Sequence, residues 1–319
     1  MDSSAAPTPR PTAAVVLAFG AFTAIAGINA VAVKISNEGL APFWGATLRF
    51  GLAGLLFTWW AVAFRLPFPR GPALVGAALY GTIGFGVSYA CAYWSLLGIT
   101  AGLLSVLVAT VPLLTILLAS FHGLEHVRRR HLLGGALAAG GIALMVARGV
   151  GLDVSVPHFV AALFMPVAIA ESTVLLKKFP RAHPVPTNAV AMAIGAALLF
   201  FASVVAGETR VLPDGVRVAS AYVYLVLVGS VTMFTLFLFV LNRWSASAVS
   251  YQAVLSPIVT ILVASQLVGE GITWPFVVGA AIVLFAVYVG AVKPPKPTLS
   301  PRTAEAPQSG ESATGARGP

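Results

Sequence analysis

The carboxyl group of Glu171 stands inside an apolar run, six residues before Lys177 and so roughly 9 Å from the charged end of that run at helical rise. An ionised acid at that depth in hydrocarbon costs about 2.5 kcal/mol or more, so such groups are protonated, paired or turned towards water. Two chemical uses fit: holding a substrate ammonium, or carrying a coupling proton. The structural alternative is a partner for Arg243 or for backbone groups. Arg49 is the complementary cation, about six residues into another apolar run. It could bind a carboxylate, extend its head to the membrane interface, or cap carbonyls of a neighbouring helix. Gln252 falls at about the depth of Glu171, and Asn29, Ser88 and Tyr89 fall at about the depth of Arg49. Together they read as an inner and an outer polar tier. Ordinary interhelical hydrogen bonds, worth about 0.6–2 kcal/mol each, are the alternative.

A second pattern, His122-Gly123-Leu124-Glu125-His126, matches the H-x-x-E-H arrangement in which two histidines hold zinc and a glutamate activates water. Three features oppose it: no acidic third ligand stands out, Arg128-Arg129-Arg130 follow at once, and the related segment described below keeps only the glutamate. We expect no enzyme, no metal and no cofactor. A metalloenzyme using His122, Glu125 and His126, or a non-transporting membrane receptor or scaffold, are the rival readings. No Gly-rich phosphate loop, G-x-S-x-G elbow or C-x-x-C is present.

The elements that position these groups follow from composition. The chain has 319 residues, 58% hydrophobic and 9% charged, with mean hydropathy +0.93, whereas soluble domains carry about 25% charged residues. Apolar runs of membrane-crossing length recur throughout. The sequence predicts an all-α integral membrane protein with ten transmembrane helices, near 12–33, 43–64, 72–95, 100–121, 131–148, 158–176, 186–206, 218–241, 246–268 and 273–292. Residues 1–11 and 293–319 read as polar tails, the second of them disordered. The net charge of +9 sits in short loops, where it sets topology and offers no nucleic-acid face. The single cysteine, Cys91, lies in an apolar run and makes no intrachain disulfide.

One segment occurs twice. Ala101, Ser105, Pro112, Thr115, Ile116, Leu117, Ala119, Ser120 and Glu125 recur as Ala246, Ser250, Pro257, Thr260, Ile261, Leu262, Ala264, Ser265 and Glu270, each 145 residues later. We read an internal repeat, with a first five-helix unit over 12–152 and a second over 153–292. Five crossings separate the copies, so they run in opposite directions. Such 5+5 inverted repeats build secondary transporters around a cavity near mid-membrane. Arg10, Arg65, Arg70, Arg128–Arg130, Lys177, Lys178, Arg181, Arg243 and Lys293 fall on one set of loops and tails, which places both termini in the cytoplasm. Pro112 and Pro257 each free a carbonyl one turn earlier, and read as matched hinges or as plain kinks. Glu125 and Glu270, at helix C-terminal ends, read as structural partners of basic residues or caps of the next helix.

The residues also resemble a family. Pro42 with Leu48-Arg49-Phe50, then Tyr93-Trp94-Ser95, Thr100-Ala101-Gly102, Pro112-Leu113-Leu114-Thr115, Glu125 and Gly134, are similar to signatures of the EamA-like branch of the drug/metabolite transporter superfamily. The resemblance covers roughly residues 12–292. It implies a ten-span exporter of amino acids or other small metabolites in the bacterial inner membrane. One acid and one buried base suit a zwitterionic or neutral metabolite better than a phosphorylated sugar, which needs two or three cations. The expected partners are that small molecule, protons entering through Glu171, and membrane lipid.

Overall fold

The apolar runs fold as helices because hydrocarbon leaves backbone amides and carbonyls no partners but each other. In the computed structural model, residues 13–123, 127–147, 155–180, 182–241, 243 and 246–289 are described. They form helical rods that we number α1 (Ala13–Ser36), α2 (Pro42–Ala63), α3 (Pro72–Ser95), α4 (Ala101–Phe121), α5 (Arg129–Ala147), α6 (Val156–Lys178) and α7 (Pro184–Val205). α8 runs through Val216–Val226, Leu227–Thr232 and Met233–Leu241, followed by α9 (Ala246–Leu267) and α10 (Trp274–Val287). Seven of these rods are long and apolar enough to cross a membrane: α1, α2, α3, α4, α6, α7 and α8. Gln252–Leu267 and Trp274–Val287 are shorter apolar helices. Every described boundary lies within a few residues of its sequence-based expectation. Proline occupies the first turn of α2, α3, α6, α7 and α10, where its missing N–H costs nothing.

Glycine decides where the rods touch. A Cβ on Gly81 would lie 2.6 Å from the Ala191 carbonyl oxygen, so α3 meets α7 at backbone distance. Gly27 brings α1 equally close to Ser256 and Val259 of α9, and Gly141 brings α5 onto Gly279 of α10. Close approach at small residues is what drives helix association where lipid and side chains are equally apolar.

The packing partners follow a rule. α1 lies against α8 and α9, and α6 lies against α3 and α4, while α2 pairs with α7 and α5 pairs with α10. Exchanging each rod with the one five places later leaves this scheme unchanged. Two groups of rods result, α1–α8–α9 and α3–α4–α6. α3 and α8 also share an irregularity, since Tyr80–Val87 and Leu227–Thr232 both widen into π-helical turns. Their ends, Val87 and Thr232, are again 145 residues apart.

Candidate functional site

The wide turns of α8 create the first polar cluster. π-Turns free backbone groups from the usual ladder and recur at functional sites. Here the Gly229 carbonyl accepts from Arg49 Nη2 at 2.9 Å and from Asn29 Nδ2 at 3.2 Å. Arg49 Nε donates to Ser230 Oγ at 2.9 Å, and that hydroxyl donates to the Leu225 carbonyl at 2.9 Å. A Cβ at position 229 would collide with Asn29 Oδ1, so glycine alone admits both donors. The guanidinium lies 5.0 Å from the Phe50 ring centre and 5.4 Å from that of Tyr89, within cation–π range. Tyr93 stands beside it as well.

Arg49 is 0% exposed. It therefore does not extend to the interface, and two of its nitrogens bond a hydroxyl and a carbonyl of a neighbouring rod. Among the described residues, three buried atoms of this cluster have no hydrogen-bond partner of ordinary geometry, Arg49 Nη1, Asn29 Oδ1 and Tyr93 Oη, although Arg49 and Tyr93 interact. The structure thus brings together Arg49, Asn29 and Tyr89 of the expected outer tier and adds Tyr93, Ser230 and Gly229. Ser88 is buried and donates back to the Gly84 carbonyl of its own rod, outside this cluster.

Glu171 belongs to a second cluster. Its Oε1 lies 2.8 Å from His122 Nε2, and His122 Nδ1 lies 2.8 Å from Lys178 Nζ. An ammonium only donates, so Nδ1 accepts and Nε2 carries the proton given to Glu171. Lysine thereby fixes the imidazole tautomer. Among the described residues Glu171 Oε2 is buried without a partner, although the side chain as a whole is 25% exposed and His122 18%. The partner is His122, not Arg243, which bonds the Phe239 carbonyl of its own rod at 3.0 Å. His122 sits at the C-terminal cap of α4 and Glu171 two turns before the end of α6, so helix packing, invisible to local spacing, makes this contact.

The zinc reading turns on His122, Glu125 and His126, of which only His122 is among the described residues. Both nitrogens of His122 are engaged by the carboxylate and the ammonium, and no group of three His, Cys, Asp or Glu that could hold a metal occurs among the described residues. Glu125 and His126 lie outside the described residues. Gln252 is half-buried on α9, and among the described residues no hydrogen bond joins it to Glu171.

The two prolines differ. Before Pro112, α4 breaks into Ala101–Val108 and Val111–Phe121 around a turn at 109–110. α9 runs through Pro257 without a break. Thr115 and Thr260 both bond the carbonyl four residues back, Val111 at 2.8 Å and Ser256 at 3.1 Å, and Thr260 Oγ1 also reaches the Gly27 carbonyl of α1 at 2.7 Å, which ties α9 to α1 beside its proline. At the two prolines, which the sequence reads as matched hinges or as plain kinks, α4 has a break and α9 has none.

Glu270 does not cap the helix that follows it. Its Oε1 lies 2.7 Å from Lys34 Nζ and accepts from the Ala101 amide at 2.7 Å, while Oε2 accepts from the Gly102 amide at 3.1 Å. The carboxylate sits on the positive N-terminal end of α4, a pole that attracts anions.

The model of the EamA-like transporter family matches the chain twice, over residues 12–147 and 158–291. The chain is 25% identical over 294 residues to a protein of Escherichia coli (strain K12) named "Uncharacterized inner membrane transporter YedA", covering 89% of this chain and 94% of that one. It is 23% identical over 275 residues to a "Probable amino-acid metabolite efflux pump" of Salmonella typhimurium (strain LT2), covering 82% and 90%. One solved crystal structure superposes with a TM-score of 0.63 at 18% identity, over 88% of this chain and 98% of that one, a likeness of fold alone.

Proposed function

Because the chain belongs to the EamA-like transporter family, we propose that it is a secondary-active exporter of a small zwitterionic or neutral metabolite, such as an amino acid. It works by alternating access between two inverted five-helix repeats, 12–152 and 153–292, in the inner membrane with both termini cytoplasmic. The observation that carries this reading is the double match of one family model, once on each half of the chain. The packing scheme that survives exchange of each rod with the one five places on, and the π-turns of α3 and α8, support it. An amino-acid cargo is supported by the name of the Salmonella relative. In this reading the face bearing His122 and Lys178 is cytoplasmic, and the face bearing Lys34, Ala101 and Glu270 is external.

Glu171 is the coupling acid, with one oxygen engaged by His122 and the other buried and free to take a proton or a substrate ammonium. Gln252 lines the same inner tier. Arg49, Asn29, Tyr89 and Ser88 serve the outer tier, where the unpartnered Arg49 Nη1 offers a donor to a carboxylate. The break before Pro112 lets the two segments of α4 move separately, while α9 runs unbroken through its counterpart Pro257.

The test is efflux from proteoliposomes loaded with a pool of amino acids, nucleobases and cationic drugs, under an imposed pH gradient. The wild-type protein exports at least one pool member, and Glu171→Gln loses the pH dependence of that export. Unchanged export and pH dependence in the Gln variant would remove the coupling role.

A further inference from the structure

The two groups of rods, α1–α8–α9 and α3–α4–α6, must separate at one face whenever a pathway between them opens there. Among the described residues, four hydrogen bonds cross from one group to the other. Lys34 Nζ donates to the Ile99 carbonyl at 3.4 Å, Asn37 Nδ2 donates to the Tyr93 carbonyl at 2.8 Å, and Glu270 accepts from the Ala101 and Gly102 amides at 2.7 and 3.1 Å. All four lie at the same face. Neither other charged cluster crosses: Lys178–His122–Glu171 joins α4 to α6 inside one group, and Arg49 joins α2 to α8.

The centre of this arrangement is Glu270. It takes an ammonium from α1 and two amides from the first turn of α4, so one carboxylate ties three elements. Its side chain is mostly buried, where charge-assisted bonds are stronger and less screened than at a surface. Gly102 lets it approach, since a Cβ there would already stand 3.1 Å from Phe276 Cζ and 3.6 Å from Glu270 Oε2. The first segment of α4, Ala101–Leu107, is buried on every face, whereas Leu114–Leu118 beyond the break are all partly exposed. The contact between the groups is thus dense at the Glu270 end of α4 and loose at the His122 end.

We propose that the Lys34–Glu270–Ala101/Gly102 knot is the gate that shuts the transport pathway at this face, and that release of Glu270 from the α4 amides is the step that opens it. The proposal rests on the alternating-access reading above, in which this state is closed outside. Glu270 and Lys34 act on transport by setting which face is open, without touching cargo.

The experiment needs no cargo. Pairs of spin labels are placed on full-length protein in liposomes after Cys91→Ser. One pair, Leu97→Cys with Ile272→Cys, spans the gate between exposed linkers, and the other, Phe121→Cys with Arg243→Cys, spans the opposite face. We expect a narrow short distance at the gate in the parent protein and a longer, broader one in Glu270→Gln, with a shorter distance at the opposite face. Lys34→Gln, which leaves Glu270 on the α4 amides, gives a smaller change in the same direction and serves also if Glu270→Gln does not fold. Unchanged gate distances in the variants that fold overturn the gate. A gate that lengthens while the opposite face stays still upholds the gate and overturns alternating access.

Discussion

His122 Nε2 and Glu171 Oε1 meet at 2.8 Å across the packing of α4 on α6. A histidine that the sequence offers to zinc is thereby the hydrogen-bond donor of the one described acid inside a membrane-length helix. The contact supplies what the bilayer cannot, a partner for a carboxylate within an apolar helix. Lys178 completes it from the exposed side and, by occupying Nδ1, leaves Nε2 as the only donor position.

Removing that donor should therefore be felt in stability. His122→Ala leaves Glu171 without a described partner, a loss of about 1–3 kcal/mol for a buried acceptor. His122→Gln retains an N–H for Oε1 and costs less. Melting of the detergent-purified protein checks this: the Ala variant melts several degrees below the parent, and Gln falls between. An Ala variant that melts with the parent would show that Glu171 finds another partner.

The sequence made the rods legible because hydrocarbon enforces one rule, apolar length, and the described helix ends fall within a few residues of that pattern. It also pointed to Arg49, Asn29 and Tyr89 as one tier, since equal depth in antiparallel rods is simple arithmetic. The partners were not legible. Glu270 read as a partner of basic residues or a cap for α10, and the structure pairs it with the basic Lys34 but adds the Ala101 and Gly102 amides, which no local spacing names. His122 and Glu171 are 49 residues apart, and only the crossing of α4 and α6 joins them. The π-turns that free the Gly229 carbonyl leave no mark beyond an ordinary Gly-Ser pair.

Arg49 makes a prediction of its own. Its planar fork reaches Ser230 Oγ and the Gly229 carbonyl together while lying near two rings. A lysine ammonium carries the charge but cannot span both acceptors in that plane. Arg49→Lys should lose about 1.5–3 kcal/mol, the range for a hydrogen bond to a charged group, despite keeping its charge. Chemical unfolding in mixed micelles measures it, and a Lys variant as stable as the parent would make the fork irrelevant.

A contrasting ion pair lies at the same face as Glu270. Arg217 holds Glu38 with two bonds, Nε to Oε2 at 2.8 Å and Nη2 to Oε1 at 3.0 Å, but the side chains are 53% and 44% exposed. The hydrogen bond and charge of Arg217 hold the Glu38 carboxyl below the ordinary glutamate range. A depressed acid stabilises the fold above its unfolded pKa, and that contribution fades as pH falls through its folded value. Glu38→Gln should therefore change melting slightly at neutral pH, with the difference vanishing below the ordinary glutamate range and in high salt. Melting curves over a pH series check the sign: a Gln variant that loses more in acid than at neutrality contradicts it.

Gly27 offers the sharpest steric test. Its backbone faces α9, where a Cβ would stand 2.6 Å from Val259 Cβ and 2.8 Å from the Ser256 carbonyl oxygen. The Gly27 carbonyl also takes the Thr260 hydroxyl of α9. A valine here would push the rods apart and break that bond. Overpacking of this kind costs about 1–3 kcal/mol, occasionally more. Gly20, on the same rod, has nothing within 4 Å of a built Cβ, so Gly20→Ala removes only the flexibility of glycine in a helix. Melting should drop for Gly27→Val and hold or rise for Gly20→Ala. Equal effects at the two positions would mean that α1 and α9 do not meet at Gly27.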